Sequence, residues 1–224
     1  ELTANYGSSV VLCTATQPAI VRREDFPRGL ENMREIISDT RELYRSLRRV
    51  AVERLGRQED SSLADRILES NQVLCVVNTR AHARKLFDLI GERNGHFHLS
   101  TLMVPEHRSA VLRQIKARLK SGEDCRVVST QLVEAGVDLD FPVVMRSMAG
   151  IDSIAQAAGR CNRNGKLSGM GQTLVFESEH RRSERYFAET AGCGAQVMAC
   201  QEDPLSLDAV EQYFRLYYWG HENL

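Results

Sequence analysis

Three stretches of this chain carry polar and charged side chains in arrangements that packing alone does not explain. The first is Gln156-Ala157-Ala158-Gly159-Arg160-Cys161-Asn162-Arg163-Asn164-Gly165. A run of small helix-forming residues leads into a glycine and two arginines three positions apart, with a glutamine one turn ahead. Gly159 permits close backbone approach, and on a helix Arg160 and Arg163 project from adjacent turns toward one point. Two converging guanidiniums need an anion between them, and a triphosphate suits their paired donors. A surface helix with two solvated arginines fits the same letters.

The second stretch, Ser129-Thr130-Gln131-Leu132-Val133-Glu134-Ala135-Gly136-Val137-Asp138-Leu139-Asp140, reads as a strand that ends in a hydroxyl and then turns. Parallel sheets gather ligands at the carboxyl ends of their strands, where Thr130 falls. Thr130 is placed to donate to a phosphate. Asp138 can accept from a sugar hydroxyl, tether one of the arginines, or simply cap a turn. The third stretch, Cys75-Val76-Val77-Asn78-Thr79-Arg80, is another strand that ends in polar residues at a helix start. A helix N-terminus with a hydroxyl and an arginine holds phosphate readily, and Asn78 or Thr79 also serves as an ordinary cap.

Apolar β-branched runs alternating with helical patterns must position these stretches, which implies βαβ units on a mostly parallel sheet. Expected strands are Ser9–Cys13 (short and buried), Arg34–Ile37, Val50–Val52, Val73–Val77, Phe97–Leu99, Arg126–Thr130, Pro142–Arg146 and Thr173–Phe176. Expected helices follow an Asp39 cap with Leu43, Tyr44 and Leu47 inward, then span Leu63–Leu68 and Arg80–Ile90. A longer one runs from Pro105 to a stop at Gly122, and another covers Ile151–Gly159. Gly56–Ser62 reads as a polar loop. Two last helices, Ser183–Ala191 and Leu205–Trp219, are expected on either side of a break at Gly192-Cys193-Gly194 and Asp203-Pro204.

The 224 residues suffice for one full α/β domain with appendages or two small ones. Lys and Arg number 29 against 30 Asp and Glu, a formal net charge of −1 that excludes a coat binding nucleic acid by bulk charge. The charge is unevenly spread: residues 73–182 hold 16 basic and 11 acidic side chains, whereas residues 183–224 hold 2 and 7. No run approaches the roughly 18 apolar residues of a membrane span, so no membrane association is expected. Cys13, Cys75 and Cys125 sit in apolar runs and read as buried hydrophobes of a reducing compartment, and no cysteine pair has zinc spacing. His96 and His98 read as strand residues, no histidine–aspartate metal-nuclease cluster is legible, and no metal is expected in this chain. The start at Glu1, without an initiator methionine, looks cut.

In order and spacing these stretches resemble the second RecA-like lobe of a superfamily 2 helicase. Thr14-Ala15-Thr16 resembles motif III, Asn78-Thr79-Arg80 motif IV, Ser129 to Asp140 motif V, and Gln156 to Arg163 motif VI. The wording L-C-T-A-T-Q-P, V-V-N-T-R, M-V-P-E-H-R, V-S-T-Q-L-V-E-A-G-V-D-L-D and Q-A-A-G-R-C-N-R-N-G is similar to the helicase–nuclease of type I CRISPR systems, over most of residues 8 to 190. The resemblance implies an α/β fold: the end of a first RecA-like lobe in residues 1–20, a second lobe in 21–190 and a helical linker or extension in 191–224. It implies that Arg160 and Arg163 reach ATP bound on the first lobe, with Gln156, Gly136 and Asp138 near the nucleotide. Asn78, Thr79, Arg80 and Thr130 would contact the backbone of single-stranded DNA, and Thr14 and Thr16 would couple nucleotide state to DNA grip.

The departures from the family pattern bear on activity. No G-x-x-x-x-G-K-[ST] loop occurs, since Gly165-Lys166 is followed by Leu167. An acidic D-E-x-H-type box and a metal-nuclease motif are likewise missing. ATP and Mg would therefore be held mainly by a first lobe, and nuclease chemistry would belong to a further domain. Implied partners are that lobe, the nuclease domain, single-stranded DNA and a CRISPR RNA-guided surveillance complex in the cytoplasm. Two other readings fit the letters: a free-standing lobe that binds DNA or protein without hydrolysis, and a lobe of a repair or recombination helicase.

Overall fold

A computed structural model describes residues 2–14, 16–24, 26–134, 136–180 and 185–219. Its strands are β1 (Val50–Gln58), β2 (Gln72–Val76), β3 (His96–Leu99), β4 (Cys125–Ser129), β5 (Val143–Ser147) and β6 (Gly171–Ser178). They form one sheet in the order β1-β6-β5-β2-β4-β3, in which each neighbouring pair is parallel. The helices are α1 (Leu2–Asn5), α2 (Thr40–Leu47), α3 (Asp60–Glu69), α4 (Arg80–Ile90), α5 (Pro105–Ser121), α6 (Ile151–Ala158), α7 (Arg185–Cys200) and α8 (Leu207–Trp219). A 3-10 turn, Gln131–Val133, follows β4.

Burial on both faces explains the continuous apolar strands. Along β2 and its end, Val73, Cys75 and Val77 pack with Leu63, Ile67, Leu86 and Ile90 of α3 and α4, while Leu74 and Val76 pack with Ile115 of α5 and with Phe141. A third cluster joins Ile151 and Ile154 of α6 to Val175, Val197 of α7, and Val210 and Tyr213 of α8. Local signals set the helix ends. Asp39 accepts from the Glu42 N–H, Thr79 from the His82 N–H, Pro105 opens α5, and Gly122 ends it in the left-handed conformation at φ 76°. Residues upstream of α2 lie against α8: the Phe26 and Tyr218 rings stack at 5.3 Å. Two ion pairs, Arg41–Asp208 and Arg48–Asp203, tie α2 and its C-terminal cap to the start of α8 and the loop before it. No helix among the described residues is long and apolar enough to cross a membrane.

Several expected elements differ. Ser9–Cys13 forms no strand; Val10, Val11, Leu12 and Cys13 are exposed. An apolar run becomes a buried strand only with a ladder partner, and this one pairs with neither sheet edge, β1 or β3. Arg34–Ile37 is likewise irregular, with Ile36 and Ile37 exposed, for want of any partner. Gly56 does not open a loop. At φ 68° it lies where the register against β6 skips from Arg54 to Gly56, so β1 runs through a bulge to Gln58 and α3 starts at Asp60. Cys75 and Cys125 are buried as expected, and burial pushes both thiols up to about 12.

The Gly192-Cys193-Gly194 break is absent too. Within the described residues α7 starts at Arg185, residues 183 and 184 lying outside them, and it continues to Cys200. Gly194 is there for space: a Cβ on it would lie 2.1 Å from the Ala149 carbonyl oxygen, so its lack of a side chain lets α7 approach the loop after β5. Gly192 is exposed, with nothing near an added Cβ. Gly194→Ala should therefore lower stability by about 1–3 kcal/mol, whereas Gly192→Ala should be neutral or raise it by up to about 1 kcal/mol. Urea titrations of the two variants check the contrast.

Candidate nucleotide- and DNA-facing site

A parallel sheet delivers its strand ends to one edge, and Asn78, Thr130 and Ser147 follow or close β2, β4 and β5 there. Asn78 is committed to holding that edge together. Its Nδ2 donates to Ser147 Oγ at 2.9 Å and to the Met148 carbonyl at 3.1 Å, and its Oδ1 accepts from Arg146 Nη1 at 2.7 Å. Its side chain is therefore a bracket between strands and has little left for a ligand. Thr79 caps α4 and is exposed, as is Arg80, which makes no ion pair among the described residues. Thr130 is buried in extended backbone ahead of the 3-10 turn. Thr16 is buried and Thr14 exposed, with the Thr14 hydroxyl donating to the Thr16 carbonyl; Ala15 lies outside the described residues.

The two arginines have separated. Helix α6 ends at Ala158, and the chain then turns so that Phe141 N–H donates to the Arg160 carbonyl and Asn162 N–H to the Phe141 carbonyl. This bridge swings Arg160 inward, so the expected projection of both arginines from adjacent helical turns does not occur. Arg160 is buried, its Nε donating to the Val133 carbonyl at 2.8 Å and its Nη2 to the Glu134 carbonyl at 2.6 Å. Burial, and secondarily the charge of Arg163, push its pKa down.

Arg163 faces outward. Its side chain is 42 % exposed and its Nε lies 2.9 Å from Asp138 Oδ1, so of the roles open to Asp138 the structure has it tethering an arginine. Asp140 fastens the same turn through the N–H groups of Arg163 and Asn164. Gly136, at φ 70°, has open space around it, and Ala135 lies outside the described residues. Gln156 and Gly159 are exposed. An open groove of about 440 Å³ passes Gly159, Arg163 and Asn164.

Sequence reading missed the residue at the centre of this edge. Arg146 is 1 % exposed within the sheet, with its Nε 2.9 Å from Glu134 Oε1 and its Nη1 on the Asn78 side chain and the Ser147 carbonyl. Burial pushes the Glu134 carboxyl up, and attraction to Arg146 opposes that shift. The signal was visible: one arginine interrupts the strand V-V-M-R-S, and a buried guanidinium needs a carboxylate. Asn162 was missed as well. At φ 44° it adopts a conformation asparagine tolerates, and its side chain binds the Arg49 and Gly169 carbonyls and the Leu167 N–H.

A histidine–aspartate cluster with no sequence motif behind it is also present. Asp60 at the start of α3 receives His82 Nε2 on Oδ1 at 2.9 Å and His180 Nε2 on Oδ2 at 2.7 Å, with Lys85 Nζ 2.8 Å from Oδ2. Burial alone would raise the Asp60 carboxyl, but the hydrogen bonds of His180 and Lys85 and the charge of His82 hold it at about 2. No spacing rule links these residues, which come from α3, from α4 and from the turn that follows β6.

The wholly parallel six-stranded sheet with helices on both faces, with the motifs clustered at its strand ends, is the α/β architecture of a RecA-like lobe. Residues 69–166 match the C-terminal family of the CRISPR-associated nuclease/helicase Cas3. A Cas3 of Methanothermobacter thermautotrophicus is 30 % identical over 131 residues, which cover 56 % of this chain and 16 % of that protein. A Haloferax volcanii Cas3 is 60 % identical over 49 residues, 22 % of this chain and 5 % of the relative. The solved T. fusca Cas3–ATP structure superposes with a TM-score of 0.59 at 18 % identity, covering 75 % of this chain and 23 % of that one. A chain of a CRISPR RNA-guided surveillance complex in a pre-nicking state superposes with a TM-score of 0.58 at 17 % identity, covering 75 % of this chain and 25 % of its own length. The chain thus resembles the C-terminal helicase lobe of Cas3 and spans a quarter or less of these relatives.

Of the polar side chains in residues 156–163, Arg163 and Gln156 are exposed, Arg160 is already spent on carbonyls, and the sequence has no phosphate loop. Arg160→Ala should cost about 3 kcal/mol through lost charge-assisted bonds, and Arg163→Ala less than about 1 kcal/mol, as an exposed pair. Thermal melts of the two variants separate these roles.

Proposed function

We propose that this chain is the second motor lobe of an ATP-driven single-stranded DNA translocase, the CRISPR-associated helicase–nuclease that unwinds and degrades target DNA. The observation that carries the reading is the coincidence of the matched segment, residues 69–166, with the stretches that converge on one sheet edge. In this reading Arg163 leaves Asp138 and extends to the terminal phosphate of ATP, while Gln156 and Gly136 line the cleft. Arg160 acts on the same cleft by holding the Val133–Glu134 backbone in place. ATP and its Mg sit mainly on a first RecA-like lobe, and ATP hydrolysis supplies the free energy for movement along DNA.

DNA contact falls to the outward groups at the start of α4, Thr79 and Arg80, with Asn78 and Thr130 shaping the backbone beneath them. The excess of basic over acidic side chains in residues 73–182 favours a phosphate ligand there. Such contacts hold the backbone and read little sequence. Thr14 and Thr16 transmit nucleotide state between lobes. Recruitment would come from a CRISPR RNA-guided surveillance complex in the cytoplasm, and the nuclease step from a separate domain. By itself the chain turns over no ATP.

In a protein that carries both lobes, Arg163→Ala should cut DNA-stimulated ATP hydrolysis by about 10³-fold or more, as loss of an arginine finger does, without unfolding the lobe. Unchanged turnover would remove Arg163 from the nucleotide site. Arg80→Ala should weaken single-strand binding and lessen the slope of log affinity against log salt by about 0.7, one phosphate contact. An unchanged slope in fluorescence-anisotropy titrations counts against the DNA contact.

A further inference from the structure

Asp60, His82 and His180 are used by none of the roles above, yet they form the densest set of metal-type donors among the described residues. Their candidate ligand atoms all lie within 4.8 Å of one another. The two imidazoles face each other with ring centroids 4.3 Å apart, and both present Nε2 to the same carboxylate. Two imidazole nitrogens and one carboxylate oxygen form a set that zinc accepts with water in the remaining position.

The surroundings are those of an oriented site rather than a chance surface group. Asp60 and His82 are buried, whereas the His180 side chain is one-third exposed and leaves a path from solvent. Ser178 Oγ lies 3.4 Å from His82 Nδ1 and accepts from the His180 N–H at 3.0 Å, so one hydroxyl at the end of β6 steadies both histidines. Partners on the outer nitrogen of a ligating histidine set its orientation in metal sites. We propose that these three side chains bind one divalent transition-metal ion of the zinc class. The ion would staple the start of α3, the first turn of α4 and the end of β6. That turn begins with Arg80, and its His82 N–H is capped by Thr79.

Lys85 gives the proposal a test of opposite sign. Its ammonium sits on Asp60 Oδ2, its side chain is half exposed, and Glu179 lies 3.5 Å away as a second partner. The lysine therefore competes with a metal for the carboxylate and has somewhere to go when displaced. Metal-stripped chain would be titrated with zinc against a chromophoric chelator, and bound zinc counted after desalting. The expected result is one zinc per chain, with affinity weakened at least about a hundredfold in His180→Ala and tightened about tenfold in Lys85→Ala by removal of the nearby like charge. No retained zinc, equal affinity in His180→Ala, or no tightening in Lys85→Ala would each overturn the site. Lys85→Ala alters no ligand and nothing in the core, so the test stands even if His180→Ala folds poorly.

Discussion

A guanidinium buried in a sheet must find all its acceptors in protein, and at Arg146 that requirement organises the carboxyl edge of the sheet. The Arg146 head reaches Glu134 beyond β4, Asn78 beyond β2 and its own strand at Ser147. Three adjacent strand ends are thereby locked in one arrangement. Loss of either charged partner would leave the other buried and unpaired, a defect costing about 3–5 kcal/mol. The edge is consequently a rigid platform, and Asn78 and Glu134 belong to its construction.

Arg160 repeats the device one layer out. By donating to the carbonyls of residues 133 and 134 it fastens the loop after β4 to the turn after α6. Of the two arginines in Q-A-A-G-R-C-N-R, only Arg163 is then available to something outside the lobe, and its tether to exposed Asp138 is a weak surface pair. A nearly neutral chain also becomes intelligible. Part of the acidic excess of residues 183–224 is spent within the fold, where Asp203 and Asp208 receive Arg48 and Arg41. The basic excess of residues 73–182 includes outward groups such as Arg80 and Arg163 at the strand ends.

Elements with strong local periodicity were legible in the sequence: β2, α4 and α5 lie within a residue or two of expectation because burial on both faces, a Thr79 cap and the Pro105 and Gly122 boundaries all act locally. Errors arose where tertiary context decides. Ser9–Cys13 has the residues of a strand and no neighbour to pair with, Gly56 makes a bulge, and Gly194 makes room for a carbonyl. The strand ends that carry the motifs were found, but which of Arg160 and Arg163 faces inward depended on a single bridge between Phe141 and Cys161. The Asp60 cluster was invisible because its histidines lie 22 and 120 residues away along the chain.

The division of labour between the two arginines is open to one direct observation: the structure of a protein carrying both RecA-like lobes, bound to a non-hydrolysable ATP analogue. Arg163 should be found released from Asp138 with its guanidinium on the terminal phosphate, while Arg160 keeps its bonds to the Val133 and Glu134 carbonyls. Finding Arg160 on the phosphate, or Arg163 still paired with Asp138, would contradict it.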